Sequence, residues 1–312
     1  MAREAKLIGV GSALVDNLAY VPETFLTQID GGKGGMELVD HEGMTALLRT
    51  LPEHPFRAPG GSAANTVVGI SRLGLGSALL SKVGDDEDGT FYRDALAAAG
   101  VDETAVRIST DVPTGSCVAL VTPDSERTMR TYLGASATMA PEDITTSDFE
   151  GFAYAHIEGY LFFNEDLITH VLEHAKAAGC KVAVDLASPE VVEANREKLP
   201  AMLDKYVDIV LANEEEAAVF AGKRDEHYAL TALAEHCETA VVKVGARGAL
   251  VQMDNKLTEL PARKVKAIDT TGAGDLWAAG FLFGLMVDMN VAQAGNIAAH
   301  VAAEVVQDTG AA

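Results

Sequence analysis

Two observations predict an α/β fold built on a largely parallel central sheet. Short apolar runs alternate with amphipathic segments along the chain, the order in which strands and crossover helices build such a sheet. One pair of strand-like runs has no helix between its members, which sets a small β-layer apart from that body.

The elements follow in order. Buried strands are expected at Lys6–Gly11, Ser77–Val83, Ala153–Ile157, Lys181–Asp185, Val207–Leu211 and Ala240–Val244, each a short and mostly apolar run. Ala63–Leu73 carries Val67, Val68, Ile70 and Leu73 at helical spacing, and Phe91–Ala99 follows an acidic Asp85–Asp88 cap. Further helices are expected at Asp166–Ala178, Glu190–Leu199, Glu214–Ala221, Ala229–His236, Gly274–Val287 and Val291–Val306. Leu14–Val21 reads as an extended continuation of the first strand, and Gly31–Gly35 as an irregular stretch after it. Ser116–Thr122 and Thr128–Leu133, joined by Pro123-Asp124-Ser125-Glu126-Arg127, give a hairpin signal. The small layer thus draws on two separated segments, about 13–40 and 112–135, and is placed as a lid on one edge of the body. With no repeat, low-complexity segment or long linker, residues 1–312 read as a single domain.

Composition excludes several functions. The 24 Lys and Arg against 46 Asp and Glu leave a net charge of −22, which repels nucleic acid and anionic membrane surfaces. The longest apolar run, Trp277–Val287, is too short to span a bilayer, and no signal-peptide core precedes Leu7. Three widely spaced cysteines, Cys117, Cys180 and Cys237, fit neither a disulfide framework nor a Cys-x-x-Cys metal site and suit a reducing, cytoplasmic compartment. The partners left are small molecules, with the chain a monomer or a homodimer.

The sharpest motif is Asp269-Thr270-Thr271-Gly272-Ala273-Gly274-Asp275, which runs into a helix apolar on every face. Small residues let the backbone turn tightly and aim successive amides at one point, and the helix N-terminus adds partial positive charge, so the segment forms an anion site without a lysine. A carboxylate at the rim of an anion site is anomalous unless Asp275 takes a proton from a hydroxyl while the amides hold a phosphoryl group. The bland alternative is that Asp275 caps a buried helix.

Pro59-Gly60-Gly61-Ser62-Ala63-Ala64-Asn65-Thr66 is the second motif. Its glycine pair permits close approach of a ligand, Ser62 suits an N-cap, and Asn65 in the first turn can bond ligand hydroxyls or simply face solvent. Asp16 interrupts an apolar strand; it either meets the paired hydroxyls of a polyol or faces water where the strand leaves the sheet. Val241–Leu250 is a strand, a Gly-x-x-Gly turn and a strand, which either underlies a nucleotide or is a plain hairpin. Asn213-Glu214-Glu215-Glu216 follows a buried strand at the edge where α/β ligands bind, though a charge run is also what a solvated helix start looks like. There is no P-loop, no Gly-x-Ser-x-Gly elbow, no His-Glu-x-x-His and no ligand-spaced histidine cluster. A dinucleotide-binding reading of Gly9-Val10-Gly11-Ser12-Ala13-Leu14 fails for want of the third glycine.

With Gly60–Asn65 near the start, Asp269–Asp275 near the end and Asn213–Glu216 between, the chain resembles the ribokinase/PfkB family of sugar and nucleoside kinases over nearly its whole length. The resemblance implies a three-layer α/β/α body with a β-sheet lid over the phosphoryl acceptor, and ATP with Mg²⁺ as the donor. It implies Asp275 as catalytic base with Gly272, Ala273 and Gly274 as the anion hole. Acceptor contacts are implied at Ser12, Asp16, Gly60, Gly61, Ser62, Asn65 and Glu158. ATP-side positions are implied at Asn213, Lys243, Gly245, Gly248 and Asn296, with Glu216 organising Mg²⁺ through water. Asp269 and Thr271 match positions that bind a monovalent cation, K⁺, in some members.

Within the family, Lys33–Asp40 and Glu126–Ala135 are similar to the adenosine-kinase-like bacterial branch, in which a lid arginine, here Arg127, swings toward the transferred phosphate. By the period of two, Arg127, Met129, Thr131 and Leu133 share one face, and Arg130 lies on the other with Tyr132. Ser12 stands where that branch often has Asn, and relatives usually continue beyond the terminal Gln307–Ala312. The implied activity is phosphoryl transfer to a primary hydroxyl of a nucleoside, adenosine first. A sugar kinase with the same base, or a silent nucleoside-binding protein, are the alternatives.

Overall fold

The computed structural model describes residues 5–124 and 126–307. Ser125, in the expected hairpin turn, and the C-terminal residues 308–312 lie outside the described residues. Strands of the first half are β1 (Lys6–Val10), β2 (Leu14–Tyr20), β3 (Met36–Leu38), β4 (Phe56–Gly60), β5 (Gly76–Gly84), β6 (Val106–Ser109), β7 (Gly115–Val121) and β8 (Arg127–Tyr132). The second half adds β9 (Tyr154–Glu158), β10 (Lys181–Asp185), β11 (Ile209–Asn213), β12 (Thr239–Lys243), β13 (Ala249–Met253) and β14 (Lys256–Leu260). They form a nine-stranded sheet in the order β14-β13-β12-β11-β10-β9-β1-β5-β6 and a five-stranded sheet in the order β3-β8-β7-β2-β4.

The large sheet is parallel from β12 to β6, and β13 alone runs against the rest, antiparallel to both β12 and β14. Both its faces are dry. Ile8, Val10, Ile157, Val182 and Val184 face a core shared with helix Glu165–Ala177, whereas Leu7, Leu79, Leu211 and Val241 face helices Ser62–Arg72 and Ala273–Met286. Burial on both faces explains why these strands read as continuous apolar runs rather than alternating ones. The small sheet has its own core of Ala19, Val21, Phe25, Met44, Leu47, Val118 and Leu120.

Several expectations are corrected. Leu14–Val21 does not prolong the first strand: the chain leaves the large sheet after Val10, and β2 pairs with β4 and β7 in the small one. Expected helix Glu190–Leu199 is two helices, Pro189–Ala194 and Leu199–Tyr206. Asn195 ends the first by bonding its side-chain amide to the Val191 carbonyl at 2.9 Å, and Pro200 sits in the opening turn of the second. Helix His41–Thr50, capped by Asp40 on the Gly43 amide at 2.7 Å, was not read from the sequence, nor were β3, β4, β6 and β14. Among the described residues no helix is long and apolar enough to cross a membrane.

Candidate active site

From β1 the chain moves to β5 and β6 on one side of the sheet and later returns to β9 on the other, so the strand order reverses beside β1. Crevices outside the carboxyl ends of strands at such a reversal are where open α/β sheets bind ligands. Ser12 just past β1, Glu158 ending β9, Asp185 ending β10, Asn213 ending β11 and Lys243 ending β12 all stand at that edge.

Helix Ala273–Met286 begins there, with Gly272 as its N-cap at φ +70°. Its first-turn amides have no intrahelical acceptor and face the same edge. Asp275, in that turn, does not cap its own helix. Its Oδ1 accepts from Ser62 Oγ at 2.7 Å and its Oδ2 from Asn65 Nδ2 at 2.9 Å, both on helix Ser62–Arg72. Thr66 Oγ1 bonds the Asp275 carbonyl at 3.2 Å. The two motifs, more than 200 positions apart, are thus one constellation. Ser62 is not the N-cap expected of it: Gly61 holds that place at φ +103°, freeing the hydroxyl for Asp275. Asn65 is buried rather than solvent-facing, and it orients a carboxylate. Burial raises the Asp275 carboxyl above its ordinary value, against the bonds from Asn65 and Ser62.

Residues expected on the acceptor side surround this carboxylate. A Cβ built on Gly60 would lie within 2.5 Å of all three atoms of the Asp16 carboxyl group, and one on Gly61 would strike the Ser12 carbonyl at 2.1 Å, so space requires both glycines and φ requires Gly61 as well. Burial first, then the Asp275 charge, push Asp16 up to about 7, with Arg127 pulling it back. Glu158 is buried, accepts amides of Ser12 at 3.4 Å and Ala63 at 3.3 Å, and is pushed up to about 7 chiefly by burial. Three carboxylates therefore converge where charge is disfavoured.

On the other side of Asp275 lies a cleft of about 300 Å³, lined by Lys243, Gly245, Gly248, Ala273, Gly274 and Trp277 among others. Its far wall is apolar, from Val265 and the helix residues Ala299, Ala302, Ala303 and Val306. Asn213 and Glu216 close a reciprocal capping box beside it: the Asn213 amide donates to Glu216 Oε2 at 2.7 Å and its Oδ1 accepts the Glu216 amide at 2.9 Å. Burial and Asp185 push Glu216 up to about 7, against Lys243. Asn296, expected on this side, is exposed on helix Val291–Val305 and does not line the cleft.

Sequence reasoning missed Asp185. Its carboxylate pairs with Lys243 Nζ at 2.6 Å; Asp185 is buried and the lysine side chain largely so. Burial works against the Lys243 charge, but Asp185 and Glu216 outweigh it and hold the ammonium above its ordinary value. A Cβ on Gly274 would lie 3.3 Å from that ammonium, so a cation stands beside the turn expected to bind an anion, where the sequence reading placed none. An acidic residue ending an apolar strand at the ligand edge was the available signal.

In the small sheet, Arg127 forms an ion pair with Asp269 across a crevice also lined by Tyr20, Ile268 and Thr270, which joins that sheet to the segment preceding Gly272–Asp275. Asp269 Oδ1 also accepts the Thr271 amide at 2.7 Å. Arg130 lies on the opposite face, as the period of two predicts, with its guanidinium buried on the carbonyls of Asp30 at 2.8 Å and Gly32 at 3.1 Å.

Known proteins share this arrangement of chain. Fructokinase of Klebsiella pneumoniae is 31% identical over 253 residues, covering 77% of this chain and 82% of its own. Aminoimidazole riboside kinase of Salmonella typhimurium is 29% identical over 242 residues, covering 74% of each. The crystal structure of adenosine kinase from Sinorhizobium meliloti matches with a TM-score of 0.89 at 31% identity, over 99% of this chain and 95% of that one. A model of the pfkB family carbohydrate kinases matches residues 46–312, which include both glycine motifs, the capping box and the lysine of the cleft. The chain belongs to the pfkB family of carbohydrate kinases, ATP-dependent phosphotransferases with an alcohol group as acceptor.

Proposed function

We propose that this kinase moves the γ-phosphoryl group of MgATP to a primary hydroxyl of a nucleoside, adenosine first, with Asp275 as the base. The observation that carries this reading is the Asp275 carboxylate, fixed by Ser62 and Asn65 at the mouth of a helix, with Asp16 on one side and the Lys243 cleft on the other. The acceptor hydroxyl loses its proton to Asp275 as its oxygen bonds the γ-phosphorus and the bond to the β-phosphate oxygen breaks. A carboxyl raised by burial is better matched to that task than an exposed one. Little basicity is demanded, since the transition state is loose and positioning dominates.

Amides of the Gly272–Asp275 turn and the Lys243 ammonium balance charge on the phosphoryl oxygens. The apolar wall of Ala299, Ala302, Ala303 and Val306 suits a purine ring of ATP. Hard oxygens of Glu216 and Asp185 suit Mg²⁺ reached through water. Bound there, the ion neutralises phosphate charge. Thr271 Oγ1 is buried with no hydrogen-bond partner beside Asp269, which supports a K⁺ site at that turn. Arg127, already on Asp269, is within the same crevice and turns from it to the phosphate when the lid closes.

The adenosine preference rests on the segments Lys33–Asp40 and Glu126–Ala135, which are similar to the adenosine-kinase-like branch, and accords with the match to the Sinorhizobium meliloti adenosine kinase; coverage does not separate it from sugar kinases, since a probable sugar kinase from Rhizobium etli matches the chain as fully. The test is ADP release from MgATP with adenosine, inosine, ribose and fructose offered separately, with Asp275→Asn as control. Turnover with adenosine and not with the sugars is expected. Turnover with a sugar alone keeps the base and overturns the nucleoside. Binding of adenosine without turnover would make the chain a silent nucleoside-binding protein.

A further inference from the structure

We propose that His170 and His174 form a two-imidazole site for a divalent transition metal of the copper(II) or nickel(II) class, separate from the phosphoryl-transfer site. Both sit on helix Glu165–Ala177, four residues apart and so on one face. This helix covers the side of the large sheet opposite helices Ser62–Arg72 and Ala273–Met286, which carry Asp275 and its partners.

Three features make the pair more than two neighbouring rings. First, the Nε2 atoms converge to 2.9 Å, with ring centroids 4.3 Å apart and planes at 61°. Two metal–nitrogen bonds of about 2.1 Å set at a right angle put the nitrogens about 3.0 Å apart, whereas a tetrahedral angle needs about 3.4 Å. The observed spacing thus fits square-planar or octahedral coordination, the preference of copper(II) and nickel(II), better than tetrahedral zinc. Second, His174 Nδ1 is held by Thr146 Oγ1 at 2.6 Å, from the short helix Thr146–Phe149. A hydroxyl on Nδ1 fixes the ring and, accepting its hydrogen, leaves the Nε2 lone pair outward, the arrangement outer-shell partners give metal-binding histidines. Third, both side chains are half-buried, so little rotamer freedom remains to be lost on binding.

Neighbouring charge does not complete the site. Glu173, on the same helix, is taken by Tyr206 Oη at 2.7 Å and by Lys205 at 3.7 Å. Among the described residues no third His, Cys, Asp or Glu joins the pair, so water fills the other coordination positions and the metal exchanges freely. For both Nε2 lone pairs to bind the metal, the proton between them moves to His170 Nδ1, so each ring stays neutral with its N–H on Nδ1, and the chain's charge of −22 raises the local cation concentration.

The test is isothermal titration of the tag-free full chain with NiCl₂ and CuCl₂, compared with His170→Gln, His174→Gln and Thr146→Val. His300→Gln, which alters an exposed histidine 3.8 Å from Glu304, serves as control. One nickel ion per chain is expected, bound more weakly than copper. Either imidazole loss should weaken binding at least about tenfold, and Thr146→Val by about three- to tenfold. Kinase activity with MgATP, and with no nickel or copper added, should be unchanged in both histidine variants, which reports that they fold. Nitrogen hyperfine structure from two imidazoles in the copper(II) spectrum supports the site. It is overturned if nickel binding is undetectable, or if both single histidine variants bind as the parent does while His300→Gln does not.

Discussion

Lys243 Nζ and Asp185 Oδ2 lie 2.6 Å apart, buried at the ends of two strands that flank β11. Without its aspartate the lysine would lose its hydrogen-bonded partner in a largely buried place, and the pair sets the ammonium beside Gly274. On this reading the pair couples the stability of the sheet edge to the charge beside the Gly272–Asp275 turn.

Removing one member strands the other. Asp185→Asn should destabilise the protein by on the order of 3 kcal/mol, the cost of an uncompensated buried charge. The double variant Asp185→Leu with Lys243→Met should recover most of that loss in urea unfolding, yet remain poor in turnover. If the single variant unfolds as the parent does, the pair carries no such coupling.

How the site was legible follows from the same residues. Asp275 and the Gly60–Asn65 motif stood out because small residues before apolar helices signal a backbone that must approach something closely. Their meeting was not legible: hydrogen bonds from Ser62 and Asn65 to Asp275 depend on two helices packed side by side, and no local pattern encodes that pairing. Asp185 was hidden because it ends a run that reads simply as a buried strand. The body strands were readable because burial on both faces leaves unbroken apolar runs. Edge strand β14 was not, with most of its residues exposed. The passage from β1 to β2 misled because both are extended, and only pairing reveals that they belong to different sheets.

Orientation of Asp275 can be separated from its chemistry. Asp275→Asn should lower kcat by about two to four orders of magnitude, on the scale of a positioned acid–base group. Ser62→Ala leaves the carboxylate but frees Oδ1, and should lower kcat by about tenfold with KM for ATP little changed. Steady-state ADP release measures both. Turnover of Asp275→Asn within a few-fold of the parent would remove the assigned role.

Asp16 and Asp275 repel one another, and Asp16 titrates near 7. A protonated Asp16 no longer accepts hydrogen from two acceptor hydroxyls, so kcat/KM for the acceptor should fall by about tenfold per pH unit well below 7. Asp16→Asn removes one of the two charges. Its acid limb should then lie at lower pH, with acceptor KM raised throughout, since the two groups titrate as a set. A parent profile flat from about pH 5 to 8 would show that neither carboxylate must be ionised.

Glu158 offers a test in stability alone. Its carboxyl is raised from 4.5 to about 7, mainly by burial, so the native state holds a proton that the unfolded chain releases at lower pH. Stability from this group is therefore full below the unfolded value of 4.5 and is lost as pH rises through about 7. Glu158→Gln keeps an oxygen to accept the amides of Ser12 and Ala63 but cannot ionise. Relative to the parent, the variant should gain on the order of 1–3 kcal/mol between about pH 5 and pH 8. Thermal melts of both proteins at those two pH values measure the gain. An equal Tm difference at each would mean that Glu158 carries the same charge folded and unfolded, and that burial is not what governs it.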